Sequence, residues 1–327
     1  MNRFSALLLT AMPVMSAVAQ DATKVIRESA PLSAADSTGK IWTRGATLNV
    51  NITQVSLTNW SAGGNNSLGG IVLFNGFANR HKGKHVWDNS LIMAFGGQLQ
   101  SQQGYSLTDD QAVVLKTDDR IELNSKWGRE LKKPWYLSAL GQFKTQFTEG
   151  FDANNTRISN LFAPAYLILA VGVDYRPNDN FSVFISPAAM KLTVVNDKSL
   201  YGGSTDPDLR VFGVKNGSTT EVEVGGYLRA TYTKEIAKNF TFLTRGDLYS
   251  NYLRNPQNID VSWETLWTLK VNSWFGASLN TLLLYDHDID VPRLKSVDVG
   301  GVTTKVVDPG PGTQFKQTLG IGLTFKL

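Results

Sequence analysis

Most side-chain chemistry runs through histidine, cysteine or paired carboxylates, and this sequence of 327 residues holds only three histidines and no cysteine. Cysteine-ligated metals, thiol nucleophiles, disulfides and a lipidated cysteine are thereby excluded. His81 and His85 stand four apart, a spacing that grips a metal from one face of a helix. They flank Gly83 in a polar run between two alternating segments, so a solvated turn is expected. His287 lies in the run Asp286-His287-Asp288-Ile289-Asp290. Such carboxylates offer oxygen ligands to Ca²⁺, but the glycine-containing EF-hand spacing is missing, and the run reads as a polar loop. A lipase built on a barrel needs a histidine hydrogen-bonded to a serine, and no histidine is expected on the apolar face of a strand. The glycine runs at Trp60–Gly64 and Tyr201–Gly203 open no helix, so neither makes a phosphate cradle. The sequence predicts no enzyme, no cofactor and no metal site.

Charge of both signs on one parity of alternating segments is the more abundant feature. Arg120, Lys126, Lys144, Lys191, Arg229, Arg245 and Lys270 share that parity with Glu122, Asp174, Glu221, Glu223, Asp247, Asp260 and Glu264. Selective pores line their constrictions mainly with one sign, whereas balanced signs predict cross-strand pairs. Hairpin register places Arg245 beside Glu264, and Arg229 one diagonal step from Asp247. Two readings stay open: a narrow passive channel for small solutes, and a lumen filled and closed by a paired polar network. A third, of another kind, is a docking barrel acting through Asn196–Thr220 and Asp286–Thr313.

The elements that must position these charges are strands. Charged residues make up 18% of the chain, below the roughly 25% of ordinary soluble domains, while 16 Phe, 10 Tyr and 8 Trp are present. No run of about 20 apolar residues occurs, which excludes a membrane-helix bundle. Period-two alternation predicts twelve strands: Thr47–Leu57, Leu68–Asn79, Trp87–Leu99, Asp119–Trp127, Trp135–Phe147, Ala165–Tyr175, Phe181–Val195, Glu221–Thr233, Phe240–Tyr252, Val261–Val271, Phe275–Tyr285 and Phe315–Leu327. A phase slip is expected near Val55 in the first of these and near Pro187 in the seventh.

Links between these segments alternate short and long, the pattern of membrane barrels with short periplasmic turns and longer outer loops. Trp87, Trp127, Trp135, Tyr175, Phe181, Tyr232, Phe240, Phe275 and Phe325 lie near short turns or the C-terminus, all on the apolar parity. They are expected to form an aromatic girdle at the periplasmic interface. A soluble β-sandwich predicts neither the loop alternation nor a one-sided girdle. The formal charge of +4 is scattered, which argues against nucleic acid. Basic residues in the short turns, Arg80, Lys132 and Arg176 among them, could meet anionic headgroups.

Residues 1–19 read as a secretory signal peptide, with Arg3, an apolar stretch and Ala17-Val18-Ala19 before the cleavage point. Residues 20–41 read as a periplasmic lead-in, and 42–327 as one all-β domain, a transmembrane antiparallel up-and-down barrel of about twelve strands. The expected location is the outer membrane of a Gram-negative bacterium, with the lipid bilayer and, during insertion, the barrel-assembly machinery as partners. The closing QTLGIGLTFKL looks like the final-strand signal of outer-membrane barrels. Trp42, Gly45, the run Asn59–Gly64 and Trp87-Asp88-Asn89 resemble a family of Bacteroidota outer-membrane barrels catalogued only as a domain of unknown function. The resemblance implies location and fold, and carries no catalytic residues.

Overall fold

The computed structural model describes residues 41–55, 66–101, 113–151, 155–178, 180–272, 275–299 and 302–326. The predicted signal peptide and all of the lead-in except Ile41 lie outside the described residues.

Alternating sequence with β-branched and aromatic residues on one parity folds as strand almost throughout. In chain order these are β1 (Trp42–Val55), β2 (Ser67–Lys82), β3 (His85–Gln100), β4 (Val113–Lys132), β5 (Trp135–Thr145), β6 (Gly150–Phe151), β7 (Arg157–Ser159), β8 (Ala165–Asn178) and β9 (Phe181–Val194). There follow β10 (Arg210–Val211), β11 (Val214–Lys215), β12 (Thr220–Ala237), β13 (Phe240–Asn251), β14 (Ile259–Lys270), β15 (Phe275–Tyr285), β16 (Asp290–Val299), β17 (Val302–Pro311) and β18 (Gln314–Lys326). Twelve of them, β1 to β5, β8, β9, β12 to β15 and β18, close into an antiparallel barrel in which β18 returns to β1. The twelve expected strands are these twelve. The other six pair as three ribbons within the long links, all of them where the sequence predicts only loops.

The short links gather at one end and the long ones at the other. Gly83 (φ 58°) and Asn239 (φ 65°) supply the left-handed backbone that two of the tight turns need. The phase slip near Pro187 is present as register shifts on both flanks of β9, between Val171 and Val173 and between Gly225 and Tyr227. The slip expected near Val55 is absent: β1 pairs with β2 without interruption from Trp42↔Arg80 to Val55↔Ser67. Leu57, which suggested it, lies outside the described residues.

At the β8–β9 shift the backbones come very close. A Cβ on Gly172 would stand 2.0 Å from the Ile185 carbonyl oxygen. Gly172→Ala is therefore expected to cost about 1–3 kcal/mol, the usual penalty of overpacking. The measurement is the midpoint of urea unfolding, which should fall.

In a closed barrel alternate residues face inward, and burial follows that rule. On β3, Val86, Ser90, Ile92 and Ala94 are buried, whereas Trp87 and Phe95 are exposed outside. Inside, Leu140, Ala170, Phe184, Ala189, Tyr227 and Tyr249 form an apolar cluster. A second small core, Ala163, Val195, Tyr201 and Val214, holds two long links together at the long-loop end.

Asp197 fastens that second core. Its carboxylate accepts from Ser199 N (2.9 Å), Ser199 Oγ (2.6 Å), Asn160 Nδ2 (3.0 Å) and Arg157 Nη1 (3.3 Å). Burial pushes its pKa up, but hydrogen bonds from Ser199, Asn160 and Arg157 outweigh that and hold it down at about 2. A depressed carboxyl pKa stabilises the fold above its unfolded value of about 3.9. That contribution is lost as pH falls through about 2. Hydrogen-exchange protection in residues 195–219, relative to the intrinsic amide rate at each pH, should therefore fall between about pH 4 and pH 2 in the wild type. In Asp197→Ala the exchange should already be fast at neutral pH.

Candidate functional site

Two clefts open into the barrel interior, one toward each end. The long-loop vestibule is lined by Gln142, Lys144, Tyr166, Lys191, Asp247, Tyr249, Asp260 and Asp286, among others. The short-turn vestibule is lined by Asp88, Asn124, Lys126, Leu140, Arg229 and Thr231, among others.

Between them lies a layer of buried charge. Arg229 and Asp247 are direct register partners on β12 and β13, with Arg229 Nε donating to Asp247 Oδ1 at 2.6 Å. The sequence expects them one diagonal step apart. In the structure they stand directly opposite each other, beyond an irregularity between Glu235 and Ala237 near the turn. Asp247 also accepts from the Tyr227 hydroxyl (2.8 Å) and pairs with Arg245 Nε (3.2 Å). Arg245 stands opposite Glu264, at 3.7 Å, and Glu264 accepts from Asn280 Nδ2 (3.0 Å).

On the far wall, Glu122 accepts from Asn124 Nδ2 (2.8 Å) and Gln142 Nε2 (2.9 Å). Arg120 couples electrostatically to Glu122 and also to Glu264. β4, which carries Arg120, and β14, which carries Glu264, stand six places apart in the ring of twelve. This coupling therefore acts across the lumen. Lys144 on β5 likewise couples to Glu122 and to Asp247.

A third cluster lies toward the short turns. Asp174 on β8 pairs with Lys126 Nζ (3.1 Å) and Arg176 Nη2 (2.6 Å), and Arg176 Nη1 reaches Asp88 at 3.2 Å. The sequence reading of Arg176 as a headgroup contact is thus overturned: it is turned inward, its side chain 10% exposed. At the long-loop end, Glu221 and Glu223 both pair with Arg254, which also bonds Asp288. The Lys270 side chain lies outside the described residues.

Sequence reasoning gave no role in the lumen to Asp88, Arg176, Arg254, Asp286 or the inward tyrosines Tyr136, Tyr166, Tyr227 and Tyr249. Parity within the strands carries the signal for the tyrosines. No local signal marks Asp286 or Arg254, which sit in loops.

On the outer surface, Trp87, Trp127 and Trp135 are exposed, and Tyr175 packs on Trp135 at 4.7 Å. Tyr232 meets Phe242 at 6.5 Å, and Phe240 stacks on Trp267 at 5.7 Å. Phe181 and Phe275, each beside a short turn, are half-buried. The Phe325 side chain lies outside the described residues.

The histidines differ in one respect from expectation. His85 opens β3 on the outward parity and stacks on Trp127 at 5.6 Å, so a histidine does stand on that face. The outward Ser125 is engaged elsewhere, since its Oγ accepts from Trp87 Nε1 (2.9 Å) and donates to Asn89 Oδ1 (2.8 Å). Nδ1 of His287 lies 3.3 Å from the Tyr285 hydroxyl. Among the described residues, no group of three or more histidines and carboxylates is placed to hold a metal ion.

The chain is similar to a solved outer membrane channel from Pseudomonas putida F1 (COG4313), with TM-score 0.36, 10% identity, 87% of this chain covered and 94% of that chain. No curated protein matches it. Residues 52–151, from the end of β1 through β6, match the family model described as "Protein of unknown function (DUF3078)".

Proposed function

We propose that the chain is an outer-membrane barrel acting as a narrow passive channel for small solutes, closed at mid-height in this state. The observation that carries the reading is the wall shared by the two vestibules. Asp247 borders one and Arg229 the other, and the two are bonded to each other at 2.6 Å. A bore interrupted by bonded, movable side chains differs from a core packed by aliphatic residues, because ion pairs can re-pair without creating a void.

The membrane location rests on the outward face. Exposed Leu123, Leu169, Val171, Ile185, Val224 and Leu319 make it apolar on strand after strand. Outward residues of a spanning barrel meet lipid, and rings at the short-turn rim suit the interface. The start of β1 and the end of β18 then lie on the periplasmic side. Exposed Lys82, Lys84, Arg129, Lys132 and Lys133 at the short turns sit at headgroup level. The balanced signs argue for weak selectivity between anions and cations.

Two measurements test this. Purified protein should run faster unheated than boiled on a denaturing gel, as closed barrels do. In planar bilayers it should give small, intermittent conductance steps. A silent membrane, with folding shown on the gel, would reject the channel. The packed loop core around Tyr201 favours a second reading, docking through the long loops. A pull-down that loses its partner when residues 196–220 are deleted would support it.

A further inference from the structure

Lys191 on β9 reaches over β12 and β13 to the head of β14. Its ammonium stands 3.2 Å from Glu223, 3.0 Å from Asp260 and 3.4 Å from Asp286, and 5.4 Å from the ring centre of Tyr249. Glu223 is also held by Arg254 at 3.5 Å, so the excess of negative charge on this side of the vestibule comes from Asp260 and Asp286, which both face Lys191. Lys144 lines the same cleft and returns positive charge.

Two phenols complete the lining. The hydroxyl oxygens of Tyr166 and Tyr249 are buried, and neither has a hydrogen-bond partner among the described residues. Tyr249 as a whole is only 5% exposed. A buried hydroxyl without a partner costs free energy, so such a group in a cleft calls for a ligand atom. The remaining wall is apolar, with Ile168, Val261 and Leu284.

We propose that this vestibule binds a neutral, polyhydroxylated solute of mono- or disaccharide size. The mixture of charges selects it. An anion would lie against Asp260 and Asp286, and a cation against Lys144 and Lys191. A hydroxyl both donates to a carboxylate and accepts from an ammonium or a phenol. A neutral solute also leaves the Lys191 ion pairs in place, avoiding the cost of stranding a buried charge. Ring C–H faces of a sugar match the tyrosine rings and the aliphatic wall. The proposal rests on the channel reading in that it places the site on the solute's path, but its test needs no conduction.

The full-length protein in detergent, with folding checked by heat-modifiable migration, is titrated calorimetrically with glucose, maltose, tetramethylammonium chloride and sodium acetate. Saturable binding of glucose or maltose is expected. Tyr249→Phe and Tyr166→Phe keep the rings and remove one hydroxyl each, so each should weaken sugar binding by about 5- to 10-fold. Lys215→Ala, at an exposed position on the β10–β11 ribbon, should leave it unchanged. Absence of saturable sugar binding overturns the proposal. So does tighter binding of either ion than of the sugars, or sugar binding indifferent to both tyrosine substitutions. Conductance without sugar binding removes this site alone, and sugar binding without conductance removes the channel reading alone.

Discussion

In planar bilayers the double variant Arg229→Ala/Asp247→Ala is expected to carry several-fold more current than the wild type, with longer openings. The two side chains form the partition between the vestibules, and their removal joins the clefts without leaving one member of the pair alone. Arg245, which shares Asp247 at 3.2 Å, retains Glu264 at 3.7 Å. Asp247→Ala alone should behave differently. It deprives Arg229 and Arg245 of their common carboxylate and takes the acceptor from the Tyr227 hydroxyl. Unpairing a buried charge in this way costs about 3–5 kcal/mol, so the single variant should fold poorly before it conducts well. A double variant that migrates as a folded barrel and passes no more current than wild type would place the barrier elsewhere. The coupling of Arg120 to Glu264 across the lumen would then be the next obstruction to remove.

The strands were legible because their signal is local. Leu123 and Trp127 alternate with Glu122, Asn124 and Lys126 within a few residues, and the parity of each is its side of the wall. The β16–β17 ribbon was hidden because Pro292 and Pro309 speak against a strand. The two prolines face each other in a two-stranded ribbon, where each strand keeps a free edge and a missing donor is tolerated. The partners of the charges were less legible than their facing. Arg229 and Asp247 stand opposite rather than diagonal because alternation fixes which side of the wall a residue faces and not which residues of two strands are level. The Lys191 cluster depends on loop residue Asp286 and on strands that are not sequence neighbours, so spacing along the chain carries no trace of it. Arg176 was misread for a related reason. Near a turn either exposure or inward pairing is open to an arginine, and Asp88, 88 residues earlier in the chain, decides it.

Asp174→Ala is expected to cost about 3–5 kcal/mol of stability, because this fully buried carboxylate serves two cations from different strands. Lys126 on β4 and Arg176 on β8 both lose a partner; Arg176 keeps Asp88 at 3.2 Å, whereas Lys126, the cross-strand register partner of Asp88, keeps only a longer-range attraction to it. The readout is the urea midpoint of the heat-modifiable form. A second variant separates charge from packing. In Lys126→Met/Asp174→Leu the cation and its carboxylate leave together, apolar groups of similar volume replace them, and Arg176 keeps Asp88. Buried pairs exchanged for well-packed apolar residues are often neutral, so the double variant should recover most of the lost stability. If the single and double variants fall equally, the loss belongs to shape at this position. If only the single variant falls, the short-turn half of the lumen is held by paired charge, and its strand order is enforced by the penalty for taking the bonded carboxylate from Lys126.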